Sequence, residues 1–379
     1  MKRREFLLCT VAACVAGMGS RFSLARAFDL WRSRVDAPRS SSTPLKEGMF
    51  YTKLERKKVQ CTTCFRNCVV APGERGFCRV RENVNGTYYS LVYARPSAIQ
   101  IDPIEKEPQH HMLPGTEILC FGTAGCNFQC RHCQNWHLSQ ASPGELDTYD
   151  VPPHSAVSAA IERNIPTISF TYNEPTVFYE YVHDVAVRAK EKGINILWHS
   201  NGAMNPEPLK AMLKYTDAVT VDLKGFTRKA YDNSSAELEP VLATLKTIKG
   251  QGKWLEVVNL VIPTVNDEPE NIKRMCEWIK ENLGVETPLH FSRFFPSYKL
   301  TKLSATPVST LEQARKIATG TGLHYVTIGN VPGHQYNSTF CPKCGARLIH
   351  RTHFQVIKNH IVNGRCPGCK QKIPGIWTT

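Results

Sequence analysis

Residues 117 to 136 read EILCFGTAGCNFQCRHCQNW. An apolar run from Glu117 to Phe121 ends in a Gly-Thr-Ala-Gly turn and passes into Cys126-Asn-Phe-Gln-Cys130-Arg-His-Cys133, three thiols within eight residues. Three thiolates hold three irons of a cubane and leave the fourth iron open to a chelating ligand. The competing reading is a structural zinc corner with His132 or His137 as fourth ligand. A thiol loop directly after a strand sits where a barrel active site requires it.

Working outward, short β-branched runs alternate with amphipathic segments. Strands are predicted at Glu117 to Phe121, Thr167 to Phe170, Asn195 to His199, Ala218 to Leu223, Leu255 to Ile262 and Leu289 to Phe294. Helices are predicted at Ser155 to Arg163, Phe178 to Lys192, Pro206 to Tyr215, Leu238 to Gln251 and Glu270 to Asn282. The pattern predicts an α/β fold, a partial (βα)6 TIM-like barrel, with Tyr325 to Ile328 as a possible further strand at its open side. Parallel barrels carry their chemistry at the strands' C-terminal ends. Those ends are polar: Thr171 to Pro175, His199 to Gly202, Asp222 to Lys224, Pro263 to Asp267, then His290 and Arg293. Asn173 and Ser200 have a plainer reading as helix caps. Glu174, Asp222 and Lys224 stand out, because charges at a barrel mouth must be paired or meet a ligand.

Of the fifteen cysteines, Cys9 and Cys14 lie near the N-terminus, Cys120 and Cys276 are isolated, and the others form the central group and two more. Cys61, Cys64, Cys68 and Cys78 flank turn residues and suggest a closed four-thiol site for zinc or a second iron-sulfur cluster, with disulfides as the alternative. Cys341-Pro-Lys-Cys344 and Cys366-Pro-Gly-Cys369 are two CxxC knuckles 21 residues apart, the pattern of a zinc ribbon. The domains expected are a signal at 1–27, a linker at 28–50, a cysteine-rich module at 51–112, the barrel at 113–335 and a ribbon-like module at 336–379.

Hydrophobic residues make up 42% and charged residues 21%, an ordinary globular balance. Net charge is +14, of which the first 27 residues, with five basic side chains and one acid, account for +4. Metal-bound thiolates lower it further, and the remaining basic residues lack the aromatic interleaving of a single-strand binder, so nucleic acid is not expected as a partner. MKRREFLLCTVAACVAGMGSRFSLARA has a basic start, an apolar stretch and a small-residue cleavage site, and its Arg3-Arg4 resembles a twin-arginine signal. Its apolar stretch is short for a stable transmembrane span. The expected location is the periplasm, or the cytoplasm if the signal is not used.

CNFQCRHCQNW together with TYNEP, HSNG and VDLKG resembles the radical S-adenosylmethionine (SAM) activating enzymes, and most closely the radical SAM member of the AmmeMemoRadiSam system. The resemblance runs over about residues 54 to 379 and includes DPIEKEP, HFSRFFPSY and IGNVPGH. It implies a [4Fe-4S] cluster on Cys126, Cys130 and Cys133, with SAM on the open iron. It further implies His132 against the adenine, Asn173 and Glu174 at the SAM amino group, Ser200 and Asn201 beside the cofactor, and Asp222 and Lys224 near the reacting groups. Thr264 stands where the family has glycine, Phe295 where it has histidine, and His110 and Met112 alter a YHF stretch; these departures bear on the substrate pocket.

The cofactor implies reductive cleavage of SAM to a 5'-deoxyadenosyl radical that abstracts a hydrogen from substrate, fed by a low-potential electron donor. The expected substrate is a small molecule or a partner protein, including other AmmeMemoRadiSam proteins. One competing reading is an activase that installs a glycyl radical on a partner enzyme. Another is a zinc-rich binding protein without catalysis.

Overall fold

The computed structural model describes residues 45–378; the basic and apolar N-terminal segment read as a signal lies outside them. Eight strands make the central sheet: Ala98–Pro103 (β1), Glu117–Gly122 (β2), Thr167–Phe170 (β3), Asn195–Ser200 (β4), Ala218–Asp222 (β5), Trp254–Val261 (β6), Leu289–Arg293 (β7) and Val326–Gly329 (β8). They lie in simple sequential order, parallel from β2 to β8, with β1 antiparallel against β2. The six predicted strands appear within one residue of their expected ends, and Tyr325 to Ile328 supplies β8. β1 falls in the stretch assigned to the cysteine-rich module, yet it pairs into the barrel sheet, Ala98 opposite Gly122 and Pro103 opposite Glu117.

The strands are apolar almost throughout because both faces are covered. All of Thr167–Phe170 is buried, as are four of the five residues of β5. Helices Pro153–Glu162 (α1), Tyr179–Glu191 (α2), Pro206–Leu213 (α3), Leu238–Gly250 (α4), Pro269–Leu283 (α5) and Val308–Gly320 (α6) pack outside. Proline opens α1, α3 and α5, where its missing N–H costs nothing. α5 buries Ile272, Met275, Cys276, Ile279 and Leu283, a stripe at helical spacing that makes Cys276 a core thiol. Cys120, fully buried on β2, is another.

Two small modules flank the barrel. In the first, Val59, Cys61, Val70 and Tyr88 form a compact core between two three-stranded antiparallel sheets. It is tied to α2 by the buried ion pair of Arg81 with Glu180, 2.6 Å. In the second, strands Thr339–Phe340, Arg347–Thr352 and Gln355–Asn359 enclose Leu348 and Ile349 beside Cys341 and Cys366. Among the described residues no helix is long and apolar enough to cross a membrane.

Candidate active site

The C-terminal strand ends open onto a cavity of about 390 Å³. Cys126, Cys130, Cys133 and His132 enter its wall from the loop after β2, Asn173 from the end of β3, His199, Ser200 and Asn201 from β4, and Asp222 and Lys224 from β5. Distant stretches of sequence thus converge because parallel strands of similar length end at one level.

The thiol loop is held by its neighbours. Asn173 Oδ1 accepts from Thr123 N (3.1 Å) and its Nδ2 donates to Gly125 O (2.8 Å). Gly125, at φ +83°, has no room for a side chain, since a Cβ there would lie 2.3 Å from Cys78 O. Asn201 Nδ2 donates to Asn127 Oδ1 (2.7 Å) and stands 3.8 Å from Cys126 Sγ. Glu174 is not part of the cavity wall. It is fully buried and accepts from Thr176 N (3.0 Å), Thr176 Oγ1 (2.6 Å), Ser200 Oγ (2.8 Å) and Asn201 N (2.8 Å). Its carboxylate reaches the cavity only through the residues that it holds.

Asp222 and Lys224 belong to a longer chain of charges. Lys224 Nζ donates to Asp222 Oδ2 at 2.6 Å, His199 Nε2 lies 3.4 Å from Asp222 Oδ1, and His199 Nδ1 meets Glu107 Oε2 at 3.1 Å. Burial disfavours the His199 cation, but Asp222 and Glu107 outweigh it and raise the imidazole to about 10. Burial likewise opposes the Asp222 anion, and Lys224 with His199 still holds it below the usual carboxylate range. The site therefore interlocks His199 and Lys224 with the carboxyl groups of Asp222 and Glu107.

A second buried group lies deeper. Glu256 on β6 accepts from His110 N (3.0 Å), His111 N (2.8 Å), Trp254 Nε1 (2.9 Å) and His290 Nε2 (2.7 Å). Despite its burial, the His290 hydrogen bond and neighbouring imidazoles keep Glu256 down at about 2. His290 and His110, rings 4.4 Å apart, both line the cavity. The departure at Met112 is a core residue, fully buried beside Ile104 and Ile118. Arg293 turns away and donates to Thr306 O (2.7 Å), while Asn266 donates to Lys224 O (2.7 Å) from behind.

The C-terminal module also reaches the cavity, through His353 and Phe354 at the turn between Arg347–Thr352 and Gln355–Asn359, with Asn337 beside them. Sequence reasoning passed over these residues and over Glu107 and Glu256. Glu107 lay within the quoted DPIEKEP stretch, whereas His353 sits in a module read as closed and carried no signal.

The Radical SAM superfamily model matches residues 121–277, the span from β2 to α5. The uncharacterized protein MJ0808 of Methanocaldococcus jannaschii is 46% identical over 331 residues, 87% of this chain and 99% of that protein. A pyruvate formate-lyase-activating enzyme of Clostridium pasteurianum is 24% identical over 46% of this chain and 73% of its own length. A solved domain of the pyruvate-formate lyase-activating enzyme from Bacteroides vulgatus ATCC 8482 aligns with TM-score 0.38 and 19% identity over 43% of this chain and 98% of that domain. The chain is an enzyme of the radical SAM superfamily. Within it, the chain belongs to the same family as MJ0808 of M. jannaschii, which matches it almost end to end.

A radical SAM domain implies a [4Fe-4S] cluster and SAM, and the site fits both. Three thiols share one cavity, whose volume falls within the roughly 300 to 1,000 Å³ of small-molecule pockets. His132 Nε2 and His110 Nδ1 are buried there without a hydrogen-bond partner. Burial pushes the Cys130 thiol up to about 11, so ionised ligands here require a metal's positive charge.

Proposed function

We propose that this enzyme reductively cleaves SAM at a cluster on Cys126, Cys130 and Cys133 and uses the resulting radical to take a hydrogen from its substrate. The observation that supports this best is the convergence of the three thiols with the polar strand ends on one cavity. When bound, the cluster and SAM supply the electron and the 5'-deoxyadenosyl radical.

The chain's own residues bind, orient and exclude water. His132 offers its free Nε2 and ring face to the adenine, while Asn173, Ser200 and Asn201 meet the polar groups of SAM. Glu174 is a positioning residue that fixes Ser200 and Asn201 from below. Asp222 and Lys224 act beside the reacting groups as a neutralised pair, with His199 held protonated behind them. His353 and Phe354 cover the cavity from the C-terminal module and limit access of water.

In this reading zinc occupies the C-terminal quartet, since Sγ pairs at 3.5 Å (Cys341 to Cys369) and 3.7 Å (Cys344 to Cys366) match the roughly 3.8 Å edge of a zinc–thiolate tetrahedron. The electron comes from a low-potential donor, and the substrate is sought first among AmmeMemoRadiSam partner proteins and their small molecules. Export through the twin-arginine-type N-terminus belongs to the same reading. The likeness to an activating enzyme favours a second one, transfer of the radical to a glycine of a partner enzyme.

The test is anaerobic reconstitution of the full chain followed by dithionite and SAM. 5'-Deoxyadenosine is expected from the wild type and not from Cys130→Ala; a fully loaded cluster that forms none overturns the proposal.

A further inference from the structure

The three cysteine groups differ in spread. Among the described residues, Cys341, Cys344, Cys366 and Cys369 are the single group of potential ligands whose atoms all lie within 4.8 Å of one another. That is the spacing of ligands around one ion. The thiols of Cys126, Cys130 and Cys133, which the proposed function gives to a cubane, do not all lie within that distance of one another, and neither do those of Cys61, Cys64, Cys68 and Cys78. A cubane interposes irons and sulfides between its ligands, so its thiolates stand farther apart than those of a zinc site.

The space between the N-terminal thiols agrees. All four cysteines line one cavity of about 20 Å³, enough to admit a water-sized sphere. A zinc tetrahedron, with each sulfur about 2.3 Å from its centre, leaves no such space. Arg81, 1% exposed, lines the same cavity with its Nη1 lacking any partner, although its Nη2 is engaged by Glu180. A buried guanidinium in the wall of a cavity lined by four thiols suits an anionic, sulfide-bearing ligand. The four cysteines form no disulfide.

From this geometry we infer that Cys61, Cys64, Cys68 and Cys78 ligate a second [4Fe-4S] cluster, set against the loop that carries the first. The inference rests on the proposed function for its reference geometry at Cys126 to Cys133. The two loops touch directly. Gly125, next to Cys126, is pressed against Cys78 O, and Asn127 lines the N-terminal cavity while its Oδ1 holds Asn201 on the other side. Arg66 lines that cavity too, donates from Nε to Asn127 O at 2.7 Å, and stacks over Phe77 at 3.4 Å. The second cluster is thus a one-electron station. It gains one electron from a low-potential iron-sulfur or flavin donor protein and yields one to the active site, with no bond made or broken.

The experiment is metal and sulfide analysis with electron paramagnetic resonance on anaerobically reconstituted full chain. The wild type is expected to hold about eight irons and eight sulfides, four in each cubane, with one zinc. Cys126→Ala/Cys130→Ala/Cys133→Ala retains about four irons and a reducible cluster signal, and Cys61→Ser/Cys64→Ser loses that half alone. Spin–spin broadening appears in the reduced wild type and vanishes in both variants. About two zincs and four irons in the wild type, or zinc without iron in the triple variant, overturns the inference. If a variant does not fold, the wild-type metal count decides. Formation of 5'-deoxyadenosine is read separately, so the proposed function fails or survives on its own measurement.

Discussion

Arg351 Nε of the C-terminal module lies 3.4 Å from Glu105 Oε1 beside the barrel, and neither side chain is exposed. The same guanidinium donates to His110 O (2.7 Å) and Thr339 Oγ1 (2.8 Å), so it holds the module to the cavity rim. Removing one partner of a buried pair strands the other charge, at a cost of about 3 to 5 kcal/mol. Arg351→Ala is expected to lose stability on that order in denaturant unfolding. Arg351→Met/Glu105→Gln recovers much of the loss, because the pair's own desolvation is removed. Equal destabilisation by the single and double variants would contradict this account.

Glu256 sets an acid limit. Its folded-state value of about 2 lies below the ordinary 4.5, so its contribution is present above pH of about 4.5 and is lost as pH falls toward 2. That lowering is worth roughly 3 kcal/mol. Unfolding free energy should fall more steeply between pH 4.5 and 2 in the wild type than in Glu256→Gln. Parallel slopes count against it.

His199 behaves oppositely. Held at about 10 against an ordinary 6.5, it contributes stability that is complete below pH 6.5 and lost as pH rises through 10. Asp222→Asn removes its strongest anionic partner. Imidazole titration followed by NMR should then move down toward neutrality, and SAM cleavage should acquire a pH inflection between about 6 and 8 that the wild type lacks. A His199 titration unmoved by Asp222→Asn rules this out.

Thr264, where the resembling enzymes carry glycine, has φ of 65°, a left-handed conformation that a β-branched residue adopts at a cost. Its N–H donates to Asp267 Oδ1 (2.8 Å), which survives substitution. Thr264→Gly is expected to be neutral to stabilising by about 1 kcal/mol, the relief of strain offsetting the entropy of glycine. Thermal unfolding measures it; a loss beyond about 1 kcal/mol argues that the threonine side chain is wanted there.

The barrel was legible because strands buried on both faces read as unbroken apolar runs such as Ala218 to Val221, and helices such as α5 repeat their apolar side at three and four. The site was legible where chemistry is local. Three thiols in one loop, or Asp222 two residues from Lys224, declare themselves in a line of text. Glu256 did not, since its meaning lies in partners from residues 110, 111 and 290 that only folding assembles. β1 escaped for a related reason. Its six residues include Gln100 and Asp102, polar at a sheet edge, and only pairing with β2 makes them a strand.

His353 and Phe354, which complete the cavity wall, come more than 200 residues after the thiol loop. The loop is thus covered by a module that follows the whole barrel in sequence. The cavity wall is therefore complete only once residues far along the sequence from the thiols have folded against it. The Arg351–Glu105 pair fastens that wall, so the cover over one segment of the chain hangs in part on an ion pair to a segment more than 200 residues later.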